Sequence, residues 1–183
     1  MRIVGGEWGG RPLTAPKGSR TRPTSDRVRE ALFNVLGSVE DGAVLDLFAG
    51  TGAVALEALS RGAARAEAVE RDRAALHALR ANRERLQASN LEIRPEPVER
   101  YLERDPHPFD LVFIDPPWAD VPAFLDRHGR HLAAWTAPEG WLVVERSRRD
   151  GEAPRLEGFE APRTRRYGDA ELVLWARDQP DSV

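Results

Sequence analysis

An acid, two prolines and a tryptophan stand together after an apolar run in the second half of the chain. Asp115-Pro116-Pro117-Trp118 follows the run FDLVFI. The carboxylate of Asp115 and the backbone carbonyl of Pro116 can accept the two N–H bonds of a planar amino group. Trp118 can stack on the ring that carries this group, which contributes about 1–3 kcal/mol per base. The alternative interpretation is a Pro-Pro sequence that ends a strand beside a tryptophan of the core.

A glycine loop forms the second candidate site. Gly50-Thr51-Gly52 follows the apolar run AVLDLF, which predicts a strand, a tight loop and the start of a helix. Gly50 can adopt a positive φ, and Gly52 allows a ligand to approach the backbone. Glu70 ends the next apolar run, where an acid can bind both hydroxyls of a ribose. These features predict a cofactor that contains adenosine.

Asp46 distinguishes between the two kinds of cofactor that such a loop can bind, a dinucleotide and S-adenosylmethionine. The residues from Gly50 to Ala55 also match a relaxed dinucleotide fingerprint, G-x-G-x-x-A. Asp46 lies inside the preceding predicted strand, where its carboxylate would repel a pyrophosphate. S-adenosylmethionine has no phosphate and carries an ammonium and a sulfonium, which a carboxylate attracts. A second role for Asp46, capping the amides of the loop, stays open, and NAD is disfavoured under either role.

Length and composition limit the class of protein. The chain has 183 residues, enough for one α/β domain with a small appendage. It has no cysteine, which excludes disulfides and thiolate metal sites. Its first residues do not resemble a signal peptide, and no apolar run approaches the length of about 18 residues that a membrane span needs. We therefore expect a cytoplasmic protein, monomeric by default, with neither a membrane span nor a metal.

Charge is distributed unevenly along the chain. Residues 1–29 contain seven basic and two acidic residues, so this segment carries +5 while the remainder carries −8, giving the net charge of −3. A basic segment on an acidic body can reach phosphates without making the whole protein basic. The alternative is a flexible, solvated end.

The pattern predicts a small N-terminal hairpin followed by a helix. A glycine-rich hairpin is predicted over 3–13, and a Pro/Gly/Ser/Thr stretch continues to Pro23. A helix is predicted from Ser25, with Thr24 as its cap and Gly37 at its end. Its apolar face is predicted to contain Val28, Leu32, Val35 and Leu36.

Strands and helices then alternate. The predicted strands are 43–48, 66–70, 91–94, 109–115, 141–146, 163–167 and 172–176, the last two flanking a hairpin turn at Gly168-Asp169. The predicted helices are 53–61, 73–87, 98–104 and 121–134. This order predicts an α/β fold with a doubly wound, Rossmann-like sheet, mostly parallel, of seven strands with the last antiparallel. The predicted division is a basic hairpin arm over 1–24 and one domain over 25–183.

These motifs resemble those of a known family. Residues 46–52, DLFAGTG, together with Asp115-Pro116-Pro117-Trp118 are similar to S-adenosylmethionine-dependent amino methyltransferases. Residues 22–34, RPTSDRVREALFN, resemble the arm and first helix of the RsmD family, which methylates N2 of one guanine in 16S ribosomal RNA. The start, RIVGG with Gly10-Arg11, and the late Tyr167-Gly168-Asp169 fit the same family, so the resemblance covers nearly the whole chain.

The resemblance implies the roles of particular residues. Asp115, Pro116, Pro117 and Trp118 would hold the guanine. S-adenosylmethionine would be bound by Asp46, Phe48, Ala49, Gly50, Thr51, Gly52, Glu70, Arg71, Glu96, Val98 and Asp115. The partner, 16S ribosomal RNA of an assembling or assembled small ribosomal subunit, would be contacted by Arg11, Arg20, Arg22, Thr24, Arg27 and Arg29.

Two positions depart from the family pattern. Trp118 stands where the family commonly has Phe, and a larger ring should stack at least as well. Pro97 stands where related enzymes place a small polar or acidic residue that meets the adenine amino group. Either the Glu96 carboxylate or the Val98 N–H is expected to replace it.

Three other functions stay open from sequence alone. An N6-adenine DNA methyltransferase needs a target-recognition insert, for which 183 residues leave no room beyond the arm. Protein glutamine methylation generally goes with Asn at the position of Asp115. A catalytically silent RNA-binding or assembly factor would keep the fold, although intact Asp115 and Glu70 argue against this.

Overall fold

The apolar runs of the sequence form the strands of a computed structural model, which describes residues 1–16 and 25–178. The chain divides into two compact units, Met1–Arg104 and Asp105–Val183. Thr24 and most of the stretch before it lie outside the described residues, so the predicted boundary between an arm and a domain at residue 24 stays a prediction.

Unit 1 has three parallel strands in the order β3-β2-β1. Its elements are α1 (Asp26–Leu36), β1 (Ala43–Leu47), α2 (Ala53–Ser60), β2 (Arg65–Glu70), α3 (Arg73–Leu86), β3 (Leu91–Pro95) and α4 (Val98–Leu102). Leu45 and Leu47 of β1 and Val69 of β2 are fully buried. Because the three strands are parallel, their carboxyl ends share one edge of the unit.

Unit 2 has four strands in the order β4-β5-β7-β6, and β7 runs antiparallel to both of its neighbours. Its elements are β4 (Phe109–Ile114), a 3₁₀ turn (Trp118–Asp120), α5 (Val121–Trp135), β5 (Thr136–Ser147), β6 (Arg163–Tyr167) and β7 (Ala170–Ala176). Gly168 has a φ of 64° in the β6–β7 turn, which places a glycine where a two-residue hairpin needs a positive φ.

The predicted fold class is confirmed: the seven strands give a mixed sheet, mostly parallel, with antiparallel final strands. Most elements begin and end within two residues of their predicted bounds. The exception is β5, which begins at Thr136 instead of residue 141. Its pairing with β4 is irregular, because Phe109 pairs with Thr136 while Leu111 pairs with Trp141.

The predicted cap and apolar face of α1 are wrong in detail. The N-cap is Ser25, whose hydroxyl accepts a hydrogen bond from the Val28 N–H at 3.3 Å. The buried face consists of Val28, Arg29, Leu32 and Phe33, whereas Val35 is 37% exposed. Gly37 ends the helix with a φ of 79°, as predicted.

The N-terminal segment is a loop closed by one antiparallel bridge, between Arg2 and Pro12, and not a hairpin of two regular strands. The Ile3 N–H donates to the Arg11 carbonyl at 2.9 Å, and Ile3 is fully buried. Gly6 has a φ of 77°, and a Cβ there would lie 1.8 Å from the Ser60 carbonyl oxygen. Only glycine fits this close approach to α2.

A buried carboxylate on α2 anchors this loop. The two oxygens of Glu57 accept the N–H bonds of Val4 at 2.7 Å and Gly5 at 2.8 Å. Arg61 donates to the same carboxylate at 2.9 Å. Burial of a charge is tolerated here because charged and peptide N–H donors replace water.

Arg29 belongs to the same network, so the prediction that it contacts RNA is wrong. Its side chain is fully buried; it pairs with Asp26 at 2.9 Å and lies 3.9 Å from Glu57, and it donates to the Arg2 carbonyl. A guanidinium enclosed by protein on all sides cannot reach a phosphate of a ligand. Its charge instead compensates Glu57.

Asn82 of α3 joins the N-terminal segment to the glycine loop. Its amide oxygen accepts from the Thr14 N–H at 2.7 Å, and its amide nitrogen donates to the Thr14 carbonyl at 3.0 Å and to the Thr51 carbonyl at 3.1 Å. The side chain is fully buried. One amide group therefore fixes two segments that are distant in sequence.

Asn82→Ala should lower the free energy of unfolding by about 2–3 kcal/mol, because the buried Thr51 carbonyl and the part-buried peptide groups of Thr14 lose their partners. The measurement is chemical denaturation, read as a shift of the midpoint at constant slope. The matched control is Asn34→Ala, at an exposed position of α1, which should shift the free energy by no more than about 0.5 kcal/mol. Equal midpoints for the two variants would show that the Asn82 bonds do not stabilise the fold.

Candidate active site

Glu70, at the carboxyl end of β2, shapes the glycine loop. One carboxylate oxygen accepts the Gly50 N–H at 2.8 Å. The other accepts the peptide N–H groups of Arg71 and Asp72, both at 2.7 Å. The Ala49 N–H donates to the Val69 carbonyl at 3.0 Å, which joins the loop to β2 a second time.

The loop turns sharply because three of its residues have positive φ: Phe48 at 62°, Gly50 at 56° and Gly52 at 75°. A non-glycine residue in this region is strained by about 1–3 kcal/mol, and such strain is concentrated at functional sites. A Cβ at Gly50 would have no atom within 4 Å, but one at Gly52 would lie 2.1 Å from Leu79 Cδ1. Gly52 is therefore required by close packing on α3, and not only by the ligand approach expected from sequence.

Asp46 is buried at the end of β1, with 2% of its surface exposed. Its carboxylate accepts the Ala55 N–H at 3.1 Å, in the first turn of α2. The capping role that the sequence left open is therefore present. Burial raises the pKa of Asp46, the bond from Ala55 opposes this shift and the Glu70 charge adds to it, so that the pKa is about 7. A carboxylate has about four acceptor sites, so the bond to Ala55 leaves capacity for a cationic ligand.

The end of β3 holds the two residues predicted to meet the adenine. The Glu96 carboxylate accepts from Arg104 at 2.5 Å and lies 3.8 Å from Arg100. Val98 is the first residue of α4, after the N-cap Pro97. The first peptide N–H groups of a helix have no partner inside the helix, so the Val98 N–H points out of its end.

Unit 1 thus brings most of the predicted cofactor residues to one edge. Residues 46–52, 70–71 and 96–98 lie at or directly after the carboxyl ends of three parallel strands, β1, β2 and β3. The sequence analysis missed Asn82, which holds the Thr51 carbonyl from behind. The sequence did contain a signal for Asn82, because this polar residue lies on the apolar face formed by Leu79 and Leu86 of α3.

Asp115, Pro116, Pro117 and Trp118 connect β4 to α5 in unit 2. Asp115 and Trp118 are half-buried and Pro116 is buried. The turn is closed by a bond from the Asp120 N–H to the Pro117 carbonyl at 2.8 Å. Part of the indole is accessible, which disfavours the alternative of a core tryptophan.

The predicted RNA contacts have different environments. Arg11 and Arg27 are exposed, whereas Arg29 is buried as described above. Arg20, Arg22 and Thr24 lie outside the described residues. Within residues 1–16 and 25–178, no group of three or more His, Asp or Glu residues has the spacing to bind a metal ion. In the same ranges, no helix has the length and apolarity that a membrane span requires.

Comparison with known proteins gives consistent matches. The model of a family described as conserved hypothetical protein 95 matches residues 1–176. Ribosomal RNA small subunit methyltransferase D of Escherichia coli is 40% identical over 97% of this chain and 90% of that protein. A Bacillus subtilis protein named as a candidate rRNA methyltransferase is 38% identical over 97% of this chain and 99% of that protein.

Solved structures agree with these matches. A candidate methyltransferase from Escherichia coli superposes with a TM-score of 0.87 at 35% identity, covering 98% of this chain and 99% of that one. A structure described as a candidate methyltransferase complexed with S-adenosylhomocysteine has the same fold with a TM-score of 0.66 at 16% identity, covering 85% of this chain and 50% of that one. The chain therefore belongs to the ribosomal RNA small subunit methyltransferase D family of S-adenosylmethionine-dependent methyltransferases.

Proposed function

We propose that this protein methylates the exocyclic N2 of an unpaired guanine in 16S ribosomal RNA of the small ribosomal subunit. The observation that carries the proposal is the half-buried turn Asp115-Pro116-Pro117-Trp118 at the end of β4, in a chain 40% identical to a ribosomal RNA small subunit methyltransferase. The proposed location is the cytoplasm, and the proposed state is a monomer without a metal.

The edge of unit 1 is the proposed cofactor site. S-adenosylmethionine supplies an activated methyl group when it is bound. Asp46 would face the cationic groups of the methionine part, and its raised pKa reflects a buried carboxyl that a nearby cation would return to its charged form. Phe48, Ala49, Gly50, Thr51 and Gly52 would line that part. Glu70, with the adjoining Arg71, would meet the ribose.

The adenine is proposed to lie at the end of β3. The Val98 N–H, at the start of α4, can donate to a ring nitrogen. The Glu96 carboxylate would accept from the adenine amino group, in competition with Arg104 and Arg100. We favour the Val98 N–H as the main contact to the adenine, because the Glu96 carboxylate already has two cationic partners, Arg104 and Arg100.

Asp115 and Pro116 would orient the target amino group, and Trp118 would stack on the guanine. A guanine must leave its base stack to present N2, so an unpaired nucleotide is the expected target. The lone pair of N2 is delocalised into the ring, and alignment therefore contributes more than a strong base. The N–C bond would form as the bond between the methyl group and the sulfonium sulfur breaks, which leaves S-adenosylhomocysteine. N2 would lose its proton only after this, and Asp115 or water would accept it. The family resemblance also assigns Asp115 to the cofactor, and this assignment stays a prediction.

The RNA strand would be held by basic residues of the N-terminal segment. Arg11 and Arg27 are exposed and can contact phosphates, which position the RNA without selecting its sequence. Arg20, Arg22 and Thr24 are proposed to do the same. Arg29 is no longer part of this set, because it is buried.

The function is tested by incubating the protein with S-adenosylmethionine labelled in its methyl group and small ribosomal subunits from a strain that lacks the gene. The expected result is one label per particle, located in the RNA. Label in duplex DNA alone would favour the adenine methyltransferase. Tight cofactor binding without any transfer would favour the catalytically silent RNA-binding factor.

Asp115→Ala should reduce kcat for methyl transfer by at least about 100-fold, because the amino group loses the acceptor that orients it. The matched control, Asp126→Ala, removes an exposed carboxylate from α5 and should leave kcat within twofold. The midpoint of chemical denaturation serves as a check that both variants are folded. Similar kcat values for the two variants would remove Asp115 from the mechanism.

Cofactor affinity should rise with pH through about 7, because a bound cation stabilises the charged form of Asp46 and lowers its pKa. Below that pH, binding must remove a proton, so affinity should fall by up to about tenfold per pH unit. Above it, affinity should level off. Asp46→Asn should bind weakly with no step near pH 7. A step that persists in this variant would assign the titration to another group.

A further inference from the structure

Four exposed arginines lie at the same edge of unit 2 as the Asp115-Pro116-Pro117-Trp118 turn: Arg148, Arg149, Arg165 and Arg166. We name them the β5–β6 arginine surface. None of them belongs to the basic N-terminal segment, and none was singled out from sequence. These four arginines lie close together although the chain beyond residue 29 carries a net charge of −8.

The strand directions bring these residues to one edge. β4 and β5 are parallel, with Ile114 paired to Val144, so both end on the same side. β7 is antiparallel to β5 and to β6, which gives β6 the direction of β5. Arg148 and Arg149 directly follow β5, and Arg165 and Arg166 are among the last three residues of β6. All four residues therefore lie at the edge at which β4 opens into the Asp115 turn, with the side chains of Arg165 and Arg166 on opposite faces of β6.

The backbone under the surface is held in place. The Arg148 N–H donates to the Asp169 carbonyl at 3.0 Å, which joins the turn after β5 to the turn between β6 and β7. The Arg148 guanidinium donates to the Gly168 carbonyl at 3.4 Å, and the Arg149 N–H donates to the Ser147 hydroxyl at 3.2 Å. The arginines are thus presented by two connected turns, not by a free chain end.

Much of this charge is not neutralised within the protein. Arg166 lies 3.2 Å from Glu171, but Glu171 is already paired with the buried Arg146 at 2.8 Å. Among the described residues, no carboxylate lies within ion-pair distance of Arg148, Arg149 or Arg165. Four arginines outnumber the two aspartates of the same turns, Asp150 and Asp169. The surface therefore attracts anions.

Protection of the sheet edge explains only part of the pattern. β6 is an edge strand, and charged side chains on such strands prevent pairing with another molecule. That account covers Arg165 and Arg166. It does not cover Arg148 and Arg149, which follow β5, a strand paired on both sides.

We infer that the β5–β6 arginine surface binds backbone phosphates of the RNA nucleotides that flank the target base. The inference rests on the proposed function, because it places the target at the Asp115 turn of the same unit. A flipped base leaves the phosphates on both sides of it close to the mouth of its site, and arginine is well suited to bind phosphate through paired N–H bonds. Unit 2 would then supply phosphate contacts of its own beside the target base.

The test compares two double variants with the same loss of charge. Arg148→Gln/Arg149→Gln changes the surface. Arg127→Gln/Arg130→Gln changes two exposed arginines of α5, Arg130 lying about 13 Å along the helix from its start at Val121. Binding to unmodified small ribosomal subunits and KM for methyl transfer are measured at several salt concentrations, with cofactor affinity as a check of folding.

The surface variant should raise the dissociation constant and KM for the particle about tenfold. The slope of log affinity against log salt should become shallower by about 1.4, which corresponds to about 0.7 for each lost single-strand phosphate contact. The α5 variant should stay within twofold of the unmodified protein. Arg148→Lys/Arg149→Lys keeps the charge and should restore most of the affinity and slope.

The inference would be overturned if Arg148→Gln/Arg149→Gln changed affinity and salt slope as little as the α5 variant. It would also be overturned if Arg148→Lys/Arg149→Lys lost as much affinity as Arg148→Gln/Arg149→Gln. Failure of the proposed function has a different signature: the unmodified protein would bind particles and transfer no methyl group. The binding slopes would still decide in that case whether Arg148 and Arg149 contact phosphates.

Discussion

The candidate cofactor site depends on carboxylates that accept peptide N–H bonds at the ends of two neighbouring strands. Glu70 receives the amides of Gly50, Arg71 and Asp72, and Asp46 receives that of Ala55. These bonds hold the loop in a conformation that contains several positive φ angles. The loop is therefore shaped before any ligand arrives, which reduces the ordering that binding requires. The raised pKa of Asp46 is the consequence of placing that acid where water is excluded.

The same principle attaches the N-terminal segment. Glu57 accepts the amides of Val4 and Gly5, and Asn82 bonds to both Thr14 and the glycine loop. Thr14 in the basic segment is thus connected to the glycine loop by the single buried side chain of Asn82. The described residues proposed to contact RNA and those proposed to bind the cofactor at the edge of unit 1 therefore belong to one packed unit, although they come from distant parts of the sequence.

Much of the fold follows from local sequence. The strands are predicted well because buried parallel strands form continuous apolar runs. The start of β5 is missed because residues 136–140 contain Pro138 and Gly140, which suggest a turn, and Glu139 has a φ of 64°. Its pairing with β4 across this irregularity is a tertiary effect that periodicity cannot reveal.

The site shows the same division between local and distant information. The Asp46 and Glu70 positions follow from strand ends, and both occur where they were expected. Arg29 was predicted to contact RNA because an arginine in a basic segment is usually exposed. In the structure it is buried, and the carboxylate of Glu57 on another helix compensates its charge. Glu57 itself had a sequence signal, as the single charged residue in the mostly apolar helix AVALEALS. The β5–β6 arginine surface had none, because it exists only once the strand order is known.

The proposed mechanism requires that the Asp115 turn orients the N2 amino group of a guanine. The most direct measurement is the identity of the methylated nucleoside. After methyl transfer to small ribosomal subunits, the RNA is digested to nucleosides and analysed by mass spectrometry. The account predicts label in N2-methylguanosine alone. Label in N6-methyladenosine, or methylation at a ring nitrogen or a ribose, would contradict it.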